Sequence, residues 1–351
     1  MRENNPFTLT FGQQPKCYIQ RKDMIQKIMD QFISYTPLTH IQIITGIRGS
    51  GKTVILSDLS KKFKELDEWI VIDINPNREI LEQVASGIYE AKKIKHLFLK
   101  KTFSFSFHGI GLTLEGKEPI SSTFILVKKM LDICKKRNKK VLLSIDEVTS
   151  NTYTKSFFHD FQTLLREDYD LFIVMDGLPE NVYNLQNIKT LTFLYRSPKE
   201  ELLGLYKSDI LFLYQKVFHD ANINELETLS DLTKGYAFAF QVAGMLFYDM
   251  KKIDDKFLLM FDQLISQYVY DKIWDSLPCS ERKILSIFKN KTRITNKQIL
   301  KETKMSINQL SVYKDRLFKR GLIDTSQRGI IKILPPRFNL YASKRIDETD
   351  F

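Results

Sequence analysis

The chain has 351 residues, 43% of them hydrophobic and 12% aromatic, with 53 Lys or Arg against 42 Asp or Glu and a net charge of +11. This is material for two or three packed domains at ~100–200 residues each, and it excludes an intrinsically disordered chain. The excess charge is local. Residues 281–351 hold 17 basic and 7 acidic side chains, a net of +10, and the rest nets +1, so a polyanionic partner is expected at the C-terminal fifth.

Residues 1–20 are polar and contain Pro6 and Pro15, and they read as an extended arm. They hold no apolar run of secretory type, and the expectation is a cytoplasmic protein. The segment 21–34 has helical spacing through Met24, Ile25, Ile28, Met29 and Phe32, and Ile41–Thr45 reads as a short buried strand. A glycine-rich turn follows, then a helix with Val54, Ile55, Leu59 and Phe63 on one face. The alternation continues with a strand at 69–74, helices at 80–95 and 124–137, a strand at 139–146, a helix at 157–167, and strands at 171–175 and 190–195. Strands separated by helices imply crossovers and a mostly parallel α/β sheet. Alternating Phe103, Phe105 and Phe107, then Leu112 and Leu114, suggest a hairpin inserted near 103–114, either a structural flap or a contact for a neighbouring subunit or DNA. From Pro198 the pattern turns helical, with candidates at 198–221, 225–234, 237–250 and 256–273. The longest apolar stretch, Tyr236 to Tyr248, is interrupted by Gln241 and falls short of a ~20-residue bilayer span, so no membrane partner is expected. Cys17, Cys134 and Cys279 form no CxxC pair, which argues against a disulfide or zinc framework.

Gly46-Ile47-Arg48-Gly49-Ser50-Gly51-Lys52-Thr53 fits G-x-x-x-x-G-K-[ST], with a strand before it and a helix after it. Glycines let backbone N–H groups curve around phosphate oxygens, and the following helix points its positive end at them. Lys52 is expected to reach the β- and γ-phosphates of ATP and Thr53 to ligate Mg²⁺. Arg48, inside the loop, faces either the nucleotide or solvent. The strand Val141–Ile145 ends in Asp146-Glu147. Asp146 is the second expected Mg²⁺ ligand, and Glu147 either activates the attacking water or caps a helix. Asp176, ending the strand at 171–175, stands where a γ-phosphate sensor would. Arg196 is a candidate arginine finger for a neighbouring subunit or a surface residue.

These residues resemble an AAA+ ATPase, and the chain looks like the bacterial and archaeal single-chain ATPases related to origin-recognition initiators. The resemblance runs from Asn5-Pro6-Phe7-Thr8 and Phe11-Gly12 through the P-loop, Ile145-Asp146-Glu147, Gly177-Leu178-Pro179, and Thr192-Phe193-Leu194 with Arg196, to Gly235-Tyr236, Phe240-Gln241 and Gly244. It implies a five-stranded ASCE P-loop NTPase core in strand order 5-1-4-3-2, an all-α helical lid and a C-terminal winged helix. Three departures stand out. Ala237 replaces the proline usual in the lid motif Gly-x-Pro, no arginine occurs in 235–244, and Asp176 is atypical at its position. Slow turnover is therefore expected.

The expected organisation is an N-terminal arm and helix (1–35), a P-loop core (36–197), a helical lid (198–274), a winged helix (275–343) and a tail (344–351). In the basic module, helices are expected at 279–288 and 296–303. Ser306 and Gln309 form a capping box for a further helix, Gly321 ends it, and short strands at 322–324 and 330–334 make a wing. The second helix of such a turn motif enters the major groove. The candidate DNA contacts are Asn308, Gln309, Lys314, Arg316, Lys319 and Arg320, with Arg328 at the wing tip. Asn and Gln can read adenine, whereas Lys and Arg mostly bind phosphate. The leading expectation is an ATPase that self-associates through its core and binds double-stranded DNA. The alternatives are a signalling or defence switch whose winged helix docks protein, and a non-hydrolysing structural subunit.

Overall fold

The structure is a computed structural model that describes residues 5–10, 15–95, 103–104, 113–114 and 122–347. The chain forms two compact units, a sheet unit of Arg21–Thr45 with Lys52–Glu201, and a helical unit of Met1–Gln20, Gly46–Gly51 and Leu202–Phe351.

The sheet unit begins with α1 (Lys22–Ile33), which buries Ile25, Ile28, Met29 and Phe32. Next come β1 (Ile41–Thr45), α2 (Lys52–Glu65), β2 (Trp69–Ile74), α3 (Ile80–Glu90), and the paired dipeptides β3 (Phe103–Ser104) and β4 (Thr113–Leu114). They are followed by α4 (Thr123–Lys136), β5 (Lys140–Ile145), α5 (Thr152–Arg166), β6 (Leu171–Gly177), α6 (Pro179–Gln186) and β7 (Lys199–Glu201). Five strands pair in parallel in the order β2-β5-β6-β1-β7. Numbered along the chain, that is the expected 5-1-4-3-2, an α/β sheet of the P-loop NTPase kind. The central strands β1 and β6 are buried along their whole length, as the largely apolar strands of a parallel sheet covered on both faces are. An aromatic group of Phe32, Phe63, Trp69 and Phe172 packs with ring centroids 4.6 to 6.1 Å apart. Most of the remaining core apolar residues pack around α3, α4 and α5.

The fifth strand is not where the sequence pattern puts it. Thr192–Arg196 is a 3-10 turn in which Leu194 is the buried residue. The strand is Lys199–Glu201, paired with Ile43–Thr45. An edge strand of three charged residues carries no apolar signal, whereas the Thr-Phe-Leu-Tyr run imitates one. The helix expected at 198–221 is shortened accordingly. Of the hairpin expected near 103–114, Phe103–Ser104 pairs antiparallel with Thr113–Leu114, and residues 105–112 lie outside the described residues.

The helical unit continues with α7 (Lys207–Val217), α8 (Ile223–Thr233), α9 (Ala237–Met250), α10 (Asp255–Ile265), a π-helical turn (Ser266–Tyr270) and α11 (Asp271–Asp275). The turn breaks the single helix expected at 256–273. Beyond it lie α12 (Cys279–Ser286), β8 (Arg293–Thr295), α13 (Asn296–Thr303), α14 (Ile307–Lys319), β9 (Ile323–Asp324), β10 (Ile330–Ile333) and α15 (Phe338–Asp347). The three strands form an antiparallel sheet in the order β8-β10-β9. Capping boxes at Thr295 with Gln298 and at Ser306 with Gln309 start α13 and α14. Strand β8 and helix α15 are absent from the sequence reading. β8 is short with one buried residue, Ile294, and α15 runs into the segment read as a tail.

The described residues of the N-terminal arm pack into the helical unit. Phe7 is buried in the helical unit with its ring 5.6 to 5.9 Å from those of Tyr214, Phe218 and Phe240. Gln241, the polar interruption in α9, is the clasp. Its amide donates to the Cys17 carbonyl at 2.7 Å and its oxygen accepts from the Thr8 N–H at 3.3 Å. A Cβ on Gly244 would stand 2.5 Å from the Phe7 ring, so glycine there makes room for the arm. Phe7→Ala is expected to cost about 3 kcal/mol or more of unfolding free energy, measured by urea denaturation.

Candidate nucleotide site and basic surface

In the sheet unit, four polar residues gather where parallel strands end. Ile145 stands opposite Met175 across β5 and β6, so Asp146 follows one strand beside Asp176 at the end of the other. Lys52 and Thr53 open α2. The Thr53 hydroxyl donates to Asp146 Oδ1 at 3.3 Å, and Lys52 is 8% exposed. Parallel pairing thus gathers the expected Mg²⁺ ligands, Thr53 and Asp146, with the expected phosphate-binding amine. A hydroxyl and a carboxylate in contact suit a Mg²⁺ ion, which keeps waters and takes its other ligands from phosphates.

Asp176 is fully buried. Its Oδ1 accepts the Glu147 N–H at 3.1 Å, and its backbone carbonyl accepts the Val148 N–H at 2.8 Å. Glu147 needs this hold because its φ is +52°, in the left-handed region that favours glycine. The Glu147 side chain is exposed. Asp176 is thus the brace of the turn that carries the candidate base. Burial, and then the neighbouring Asp146 carboxylate, push the Asp176 carboxyl up to about 8, while the Lys52 ammonium acts in the opposite direction. Arg196 is exposed at the end of the 3-10 turn.

The loop residues Gly46–Gly51 belong to the helical unit by their contacts. Gly49 and Gly51 have φ of +78° and +94°, and the Ser50 N–H closes a turn on the Ile47 carbonyl at 3.2 Å. Gly46 and Ser50 are buried, whereas Ile47, Arg48 and Gly49 are half-buried. The Tyr236 hydroxyl donates to the Arg48 carbonyl, and the Phe238 N–H donates to the Gly49 carbonyl at 3.0 Å. Sequence reasoning missed the roles of both Tyr236 and Asp176. Adjacency to Gly235 in the lid motif is the one signal that singles out Tyr236.

The candidate DNA residues divide by what they already touch. Asn308, Arg316 and Arg328 are exposed, with Arg316 over the Tyr313 ring. Gln309 is exposed, but its side-chain oxygen accepts the Ser306 N–H at 2.9 Å. Lys314 donates to Asn296 Oδ1 at 3.2 Å, and Lys319 pairs with Asp315 at 2.6 Å. Arg320 lies 3.5 Å from Glu281, whose side chain is fully buried. It counters a buried charge, a role whose removal is costly.

The Asp176 shift has a sign that can be checked. Between its ordinary value of 3.8 and about 8 the folded state holds a proton that the unfolded state has lost. Stability therefore falls as pH rises through that window. In EDTA, Asp176→Asn keeps an acceptor for the Glu147 N–H and is expected to flatten this slope, measured by denaturation between pH 4 and 8.

No protein-family model matches the sequence, and no match to it is found among curated proteins. Solved structures are. The Walker-type ATPase of Pyrococcus abyssi superposes with a TM-score of 0.64 at 16% identity, over 93% of this chain and 95% of that one. The ORC2 protein of Aeropyrum pernix gives 0.57 at 14% identity over 94% and 93%. Cdc6p of Pyrobaculum aerophilum gives 0.50 at 14% identity over 97% of both chains. Among the described residues no helix is long and apolar enough to cross a membrane. Strand order, glycine loop and these likenesses agree: the chain has the P-loop NTPase α/β fold that these solved ATPase structures share.

Proposed function

We propose that the protein binds and slowly hydrolyses ATP with Mg²⁺, and that it engages double-stranded DNA through a winged helix formed by residues 275–343. The observation that carries the nucleotide half is the contact of Thr53 with Asp146 beside buried Lys52, with Glu147 one residue further on. The structure of Aeropyrum pernix ORC2 with ADPNP and ADP supports it.

In this reading the N–H groups of residues 49–53 and the Lys52 ammonium hold the phosphates, while Thr53 and Asp146 hold Mg²⁺. Held by Thr53 and Asp146, a Mg²⁺ ion would supply positive charge to offset that developing on the phosphate. The Glu147 carboxylate takes the proton of the attacking water as its oxygen bonds to the γ-phosphorus, and the bond to the β–γ bridging oxygen breaks. Asp176 keeps Glu147 in place. The core self-associates, and Arg196, exposed at the end of the 3-10 turn before the fifth strand, is offered to a neighbouring subunit's nucleotide. The protein works in the cytoplasm, with residues 36–197 and the edge strand Lys199–Glu201 as the ATPase core, and the helices that follow, up to residue 274, as the lid.

The net of +10 over residues 281–351 carries the DNA half. Helix α14 presents Asn308 and Arg316 to solvent, and Arg328 sits between β9 and β10. A second reading has its own observation. The same helix exposes Ile307, Val312 and Phe318, which are half to three-quarters accessible and suit a protein partner.

Turnover with and without duplex DNA separates the readings. DNA-stimulated hydrolysis favours the first, and stimulation by a protein partner favours the second. Lys52→Ala is expected to abolish ATP binding. Glu147→Gln is expected to bind ATP and lose hydrolysis, and equal turnover by the wild type would remove Glu147 as the base. Arg316→Glu with Arg328→Glu is expected to weaken duplex binding about tenfold or more in gel shifts. The pair is also expected to reduce the salt slope by roughly two, near 0.9 per lost phosphate contact. An unchanged affinity would move the basic module to a different partner.

A further inference from the structure

The phosphate loop is gripped from its carbonyl side by the helical unit. Helix α9 begins at Ala237 with Tyr236 in the N-cap position, and no side chain caps it. A helix start leaves its first N–H groups without intrahelical acceptors. The Phe238 N–H finds one in the Gly49 carbonyl, at 3.0 Å. The Tyr236 hydroxyl reaches past the helix start to the Arg48 carbonyl. Tyr236 is 6% exposed, and burial holds its phenol far above the usual range, so the hydroxyl is a donor at every working pH.

Gly49 is required twice. Its φ of +78° disfavours a side chain, and a Cβ there would lie 2.5 Å from Tyr236 Oη and 3.0 Å from Tyr236 Cζ. The loop has been shaped to let this phenol in. In a trans peptide the carbonyl and the next N–H point opposite ways. Pinning the Arg48 carbonyl to Tyr236 therefore turns the Gly49 N–H away from the lid helix, to the side from which an anion is cradled.

We propose that Tyr236 is a positioning residue for the phosphate loop, holding the Arg48–Gly49 peptide in its phosphate-binding orientation through the Arg48 carbonyl. The proposal rests on the reading of residues 46–53 as a nucleotide site. It assigns the position before the missing lid-motif proline a role in preorganising the loop. Phe238 contributes only its backbone, so Tyr236 is the residue that substitution can address.

The test uses the full chain and Tyr236→Phe, which removes one oxygen and keeps the ring. Two readouts are needed. Hydrogen exchange of the nucleotide-free protein, followed on peptides spanning residues 46–53, is expected to speed up there, with exchange in β2 and β5 unchanged. Titration with a fluorescent N-methylanthraniloyl-ATP and Mg²⁺ is expected to give about tenfold weaker binding, the effect of one lost hydrogen bond to a partly buried carbonyl. KM is expected to rise with kcat little changed. Loop exchange identical to wild type overturns the proposal, as does faster exchange with unaltered affinity. A wild type that fails to bind the nucleotide overturns the reading on which the proposal rests. The exchange result then still reports whether Tyr236 holds the loop, so the two failures are told apart. If Tyr236→Phe proves unstable, Gly49→Ala crowds the same hydroxyl from the other side and is expected to give the same pair of effects.

Discussion

Register between parallel strands is the constraint on which the candidate site depends. β5 and β6 are paired so that Ile145 meets Met175, and β6 and β1 so that Ile44 meets Asp176. A shift of one residue along either seam would turn Asp146 or Asp176 to the opposite face of the sheet. The buried run from Val141 to Ile145 and the fully buried β6 prevent such a shift, because it would carry their apolar side chains out of register with both covering layers. The positions of the carboxylates follow from hydrophobic packing several residues away.

That packing brings Asp176 into a place where its carboxyl serves as a neutral brace. An ionised carboxylate under full burial and beside Asp146 is unfavourable. As a carboxylic acid it still accepts the Glu147 N–H and holds a left-handed turn that only a strong local constraint maintains. The residue that looked unsuited to a γ-phosphate sensor makes sense as the support of its neighbour across the sheet.

Much of this was legible in the sequence. The glycine motif, Asp146-Glu147, the capping boxes and the local charge are carried by residue type at fixed spacing, whereas the strand order was implied by the family resemblance. The illegible parts share a cause. β7 is three charged residues whose strand character comes entirely from β1, and β8 has a single buried residue. Arg320 reads as a phosphate contact until Glu281 is found buried beside it, 39 positions earlier in the chain. Tyr236 meets the Arg48 carbonyl across a separation of 188 residues. Each is a long-range partnership, and no local pattern encodes the second partner.

The arrangement of the glycine loop bears on how this chain can be dissected. Gly46–Gly51 is encoded inside the sheet unit, yet its contacts assign it to the helical unit. A cut after Glu201, the obvious place by strand order, would yield a fragment carrying the whole glycine motif without Tyr236 or the start of α9. Such a fragment would keep the consensus letters and lose the donors that fold them. Exchange of the helices after Glu201 between related chains meets the same limit, since the incoming helices must bring a phenol of the right reach or a loop that closes without one.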